Sequence, residues 1–173
     1  YDNTIYFVTI AKEYLPKVME LESDRMLNLQ FNTALVAKEK EVVLQERRET
    51  TDSNPFMKIG EAANAAFFWQ HPYGKPIIGF KEHIQSYTAE DAKNFYNTWY
   101  APNNAILVLT GDINIEEAKK LAIEHYGHLP KKSLPKRNRM QEVEHNNAKF
   151  KVELRDPQIP SLYIQRIYRT PNY

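Results

Sequence analysis

The sequence predicts an α+β fold, an antiparallel sheet with helices packed on one face. Three observations predict it: five stretches carry apolar residues at helical spacing, four short β-branched and aromatic runs read as strands, and the two kinds do not alternate in the β-α order of a parallel sheet. The 173 residues suffice for one ordinary domain or parts of two smaller ones. A hydrophobic share of 42% with 26% charged residues matches a globular protein.

Thr4 to Ile10 (TIYFVTI) reads as a strand buried on both faces. A helix follows, with Leu15, Val18, Met19, Glu22 and Met26 on one side and Pro16 in its first turn. Glu20, Glu22, Asp24 and Arg25 decorate its wet side. Asn32 and Thr33 offer an N-cap for a second helix running to about Thr51. Asn54 before Pro55 restarts the chain as a third helix, with a stripe of Phe56, Ile59, Ala63, Ala66 and Phe67. His71 to Pro76 (HPYGKP) is a rigid loop. Thr88 and Asp91 have the spacing of a capping box, opening a helix through Phe95 and Trp99. Ala105 to Thr110 is a buried strand closed by Gly111. Asn114 and Glu117 cap a fifth helix with Ala118, Leu121 and Ala122 on its core side. Lys149 to Leu154 alternates as a half-exposed strand, and Ser161 to Tyr168 is a further one.

Several function classes drop out. There is no cysteine, which excludes disulfides, thiolate zinc sites and cysteine nucleophiles. The single Gly111 makes no phosphate-binding loop. Apolar runs are far too short to span a membrane. A formal charge of +1 argues neither for nor against nucleic acid. The one basic run, Pro130 to Arg139 (PKKSLPKRNR), has no aromatic residue to stack a base and reads as a solvated linker.

The stretch that carries chemistry is Glu39 to Glu49 (EKEVVLQERRE). At about 100° per residue, and with Leu35 at zero, Glu39 lies near +40°, Val42 near −20° and Glu46 near +20°. Two carboxylates thus share a stripe with two apolar residues, a costly arrangement unless they are paired, hydrogen-bonded or metal-bound. Glu49, near −40°, is a rival on the same stripe. The plain alternative is a solvated helix whose charges, Glu41, Arg47, Arg48 and Glu49 among them, pair along its surface. His71 reads as the opening of a proline-rich turn rather than a ligand. His125 and His128, three apart, read as surface histidines where a helix frays.

Three runs, VVLQERRETTDSNP, HPYGKPIIG and TAEDAKNFYNTWYAPNNAILVLTGD, resemble the pitrilysin/insulinase family of inverted-zincin metallopeptidases, family M16. The resemblance is closest to the two-lobed bacterial zinc proteases and the mitochondrial processing peptidases. It runs from Asp2 to about Leu129 and more weakly beyond. It implies zinc held by two histidines of an H-x-x-E-H helix and by a downstream glutamate, with the motif glutamate as general base. The downstream E-x-x-x-x-x-x-E segment matches Glu39 and Glu46. By that match Glu46 is the third zinc ligand and Glu39 a supporting carboxylate behind it. Seven residues rise about 10 Å, which suits that division better than shared ligation.

No H-x-x-E-H occurs here, and none of the five histidines precedes the glutamate helix. The expectation is therefore a fragment of a zinc endopeptidase, truncated at both ends, with one ligand and no base. As an isolated chain it should bind no zinc and cleave nothing. Residues 1–86 would form the back of a first α+β unit, and 87–173 the front of a second, with the basic linker at 130–147. The resemblance further implies peptide or unfolded-protein substrates, a second M16 lobe as partner, and a periplasmic location if the source is bacterial. The alternative is a non-catalytic lobe that serves as a structural or peptide-binding partner.

Overall fold

The computed structural model describes residues 1–137, 140 and 149–168. Its α-helices are α1 (Leu15–Asn28), α2 (Thr33–Arg47), α3 (Pro55–Phe67), α4 (Lys81–Ser86), α5 (Ala89–Trp99) and α6 (Ile115–Tyr126). Among the described residues there is no strand, so the expected α+β fold with its antiparallel sheet is corrected to a helical one. The four strand-like runs are there in sequence but find no ladder partner. A strand exists only through hydrogen bonds to a neighbour, whereas a helix satisfies its own backbone. Most apolar side chains of these runs stand in the open, Ile106 at 91% exposure and Leu162 at 88%.

Packing divides the chain into one unit of residues 1–43 and 81–138 and another of 44–80 and 139–173. In the first unit α1 packs on α6, with Met19 buried and Leu15, Val18, Glu22 and Met26 partly covered, the stripe that the spacing predicts. Lys12 reaches Asp112 at 3.5 Å and Glu117 at 3.7 Å. Arg25 and Glu22, both expected on the wet side, are half-buried: they pair with each other, and Arg25 lies 3.8 Å over the Tyr6 ring. The Tyr6 hydroxyl in turn hydrogen-bonds Tyr100. Burial, and then that hydrogen bond, push the Tyr100 phenol up to about 12.

Tyr96 is buried and ties two helices together. From α5 its hydroxyl donates to the carbonyls of Met26, at 2.7 Å, and Arg25, at 3.0 Å. These are carbonyls of the last turn of α1, which has no partners of its own for them. Tyr96→Phe should therefore cost about 1–3 kcal/mol, the penalty for orphaned buried acceptors. A fall in urea midpoint with an unchanged slope would show it, and an unchanged midpoint would mean that water takes over.

The local caps form where the sequence places them. Asn32 accepts from Ala34 N at 2.9 Å, Asn114 from Glu117 N at 2.8 Å, and Thr88 with Asp91 makes a reciprocal box. The helix α4 is an addition to the sequence reading. Its end is held by Lys40, whose ammonium donates to Gln85 O at 2.9 Å and Tyr87 O at 3.2 Å. The start of the basic run is mostly exposed, yet it is tied to the end of α5 and the turn after it. Asn103 exchanges two 3.0 Å bonds with the Lys132 backbone, and Arg137 lies 5.2 Å over the Trp99 ring. Positions 138, 139 and 141–147 of the expected linker lie outside the described residues.

In the second unit α2 gives way at Arg48 to a π-helical turn, Arg48–Asp52, so the expected helix to Thr51 changes type before it ends. Ser53 N bonds back five residues to Arg48 O at 3.0 Å, while the Thr50 and Ser53 hydroxyls take up the carbonyls of Glu46 and Glu49. Asn54 caps α3 by accepting from Phe56 N at 3.0 Å. Ile59, Ala63, Ala66 and Phe67 are partly covered as the spacing predicts, but Phe56 is exposed and meets the Tyr163 ring at 5.4 Å. The loop after α3 is tight. A Cβ on Gly74 would lie 2.2 Å from the Phe68 carbonyl oxygen, which is backbone and cannot swing away. Gly74→Ala should cost about 1–3 kcal/mol, as overpacking does, and lower the melting temperature. An unshifted melt would show that the loop relaxes freely.

Candidate functional site

Glu46 sits one residue before the end of α2, in the second unit. It is exposed, and its carboxylate makes no hydrogen bond or ion pair among the described residues. Glu39, on the part of α2 that belongs to the first unit, is likewise exposed and uncommitted. Glu49 differs, because Gln45 donates to it at 2.6 Å. That contact separates the rival from the two glutamates of the seven-residue spacing.

The stripe itself faces outward. Leu35 is 63% and Val42 57% exposed, so the carboxylates do not look into an interior as the apolar neighbours suggested. The inward side of this end of α2 is Leu44 and Arg47, continued by Thr51. Arg47 is 7% exposed, and its guanidinium forks onto Glu61 of α3 with both contacts at 3.0 Å. It also donates to Gly79 O at 2.7 Å and lies 3.3 Å from Asp52. In a π turn residue i+5 comes back over residue i, which is what returns Asp52 to Arg47. Gly79 has φ 91°, a left-handed value that a side chain resists and that closes the turn from Pro76.

Sequence reasoning passed over Arg47, treating it as one of the helix's surface charges. The signal was present on the other helix: Glu61 is the lone acid in the run EAANAAFF, where a partner must be found for it.

His71 caps a short turn by accepting from Tyr73 N at 3.3 Å and packs edge-on against that ring. His125 is half-buried, its Nε2 covered and without a hydrogen-bond partner, while His128 is exposed. Among the described residues no group of three potential ligands could hold a metal ion. The open carboxylates of Glu46 and Glu39 carry oxygen donors of a kind that zinc accepts, and they do not make a site alone.

Family models cover nearly the whole chain. Residues 1–81 match the one described as Insulinase (Peptidase family M16), and residues 86–173 the one described as Peptidase M16 inactive domain. The chain belongs to peptidase family M16. Among curated M16 relatives, the zinc protease PqqE of Helicobacter pylori is 34% identical over 78% of this chain and 31% of its own length. A probable mitochondrial-processing peptidase subunit beta of Schizosaccharomyces pombe is 30% identical over 74% of this chain and 28% of its own. The chain therefore spans about a third of the length of the curated relatives it matches. Among solved structures, a protease from Helicobacter pylori superposes with a TM-score of 0.67 at 31% identity, over 73% of this chain and 32% of that one. The periplasmic protease PqqL from Escherichia coli gives 0.68 at 24% identity, over 80% and 15%.

Proposed function

We propose that this chain is part of a longer zinc-dependent endopeptidase of the inverted-zincin type, acting on peptides or unfolded proteins. In that protein Glu46 is a zinc ligand and Glu39 a supporting carboxylate. The observation that carries the reading is the open, unpaired state of Glu46 beside a clamped Arg47, at the position where the family's glutamate segment matches. A π turn directly after it is a further pointer, since such turns gather at functional sites. What a bound zinc supplies is polarisation of the scissile carbonyl and a water that ionises near neutral pH. This chain's own part is to present one carboxylate to the ion. Residues 86–173, matching the domain described as inactive, supply no donor on this reading. A second M16 lobe, in the same chain or a partner subunit, and a periplasmic location for a bacterial source belong to the same proposal.

No helix among the described residues is long and apolar enough to cross a membrane. The deciding test is metal content and peptide cleavage by the natural full-length protein. Stoichiometric zinc, with activity lost to a chelator and restored by zinc, is the expected result. A full-length protein without zinc, or without H-x-x-E-H ahead of Tyr1, would move the chain to the non-catalytic lobes.

A further inference from the structure

We infer that Arg47 is a positioning residue for the carboxylate of Glu46, with Glu61 and the Gly79 carbonyl as the anchors that hold it. The inference rests on the reading of Glu46 as a zinc ligand and goes beyond it, since it concerns what aims the ligand.

Three observations in the second unit carry it. Adjacent helix residues diverge by about 100°, so the inward direction of Arg47 sets the outward direction of Glu46. Arg47 is over-determined: two bonds to Glu61, one to Gly79 O and a contact to Asp52 reach it from α3, from a turn and from the π turn. The planar fork resists rotation as an ammonium would not. Moreover, the helix changes from α to π directly after Arg47, so Arg47 stands at the register change that follows Glu46. A buried ion pair is a poor source of stability against a well-packed apolar pair, and its better-attested use is to select one geometry. Here the geometry selected is the rotation of the turn that carries Glu46.

The test separates aim from stability. In the full-length protein, Arg47→Met combined with Glu61→Leu removes both charges and fills the same space. Its zinc Kd, measured by competition with a chelator, should weaken by about 10–100-fold, the range seen when supporting partners of a ligand are lost. The melting temperature of the metal-free protein should move little. Arg47→Lys, which keeps the charge but not the fork, should fall between. A folded double variant with wild-type zinc affinity would overturn the inference and leave Arg47 a purely structural residue. Should the double variant fail to fold, Glu61→Gln alone weakens the fork mildly and must still loosen zinc, or the inference falls. Glu46→Gln is run beside them. If that variant keeps wild-type zinc affinity, the reading of Glu46 has failed, and the inference with it. If Glu46→Gln loses zinc while the Arg47 variants keep it, only the inference has failed.

Discussion

Glu46→Gln in the full-length protein is expected to lose zinc almost completely, with Kd weakened by more than the roughly 10–100-fold typical of outer partners. An amide has no charge to offer a dication and is a poor ligand for it. Glu39→Gln should fall within that 10–100-fold range, in zinc affinity or in peptidase rate. Glu49→Gln should be close to silent, because its carboxylate is exposed and already engaged by Gln45 at 2.6 Å. Metal content of the three purified variants gives the order directly. If Glu49→Gln were the worst of them while Glu46→Gln kept its zinc, the ligand would lie one helical turn further on, and the π turn would have to be reread as part of the site.

What could be read from the sequence was what the sequence decides locally. The caps at Asn32, Asn54, Thr88 with Asp91, and Asn114 each depend on a side chain reaching a backbone N–H two or three residues on, and each forms. The covered stripe of α1 follows from spacing alone. The runs at 4–10, 105–110, 149–154 and 161–168 have the composition of strands, but composition cannot supply the neighbour that a ladder requires, and the described residues hold none. The inward face of α2 failed for a related reason. Leu35 and Val42 suggested one face by their type, whereas Arg47 decided another by finding Glu61 fourteen positions away. Long-range pairing overrode local pattern in both cases. The family resemblance was legible because it rests on ordered motifs rather than on periodicity, and the model matches over residues 1–81 and 86–173 bear it out.

The largest stability effect should come from Arg47→Met as a single change. Methionine keeps much of the stem's volume, so packing loss is small and the electrostatic consequence stands nearly alone. The Glu61 carboxylate, its side chain only 18% exposed, would lose both 3.0 Å contacts, and Gly79 O would lose its donor. Removing one member of a buried pair strands the other, at a cost of about 3–5 kcal/mol. Against a typical total of about 5–15 kcal/mol, that is enough to put the second unit near its unfolding threshold at room temperature. Urea unfolding of the purified chain, followed by circular dichroism, measures it as a drop in midpoint at constant slope. Adding Glu61→Leu should recover most of the loss, because the stranded charge is then gone. A single-variant loss below about 1 kcal/mol would mean that water reaches the guanidinium and the pair behaves as a surface one. Arg47 could then neither hold the unit together nor aim the residue beside it.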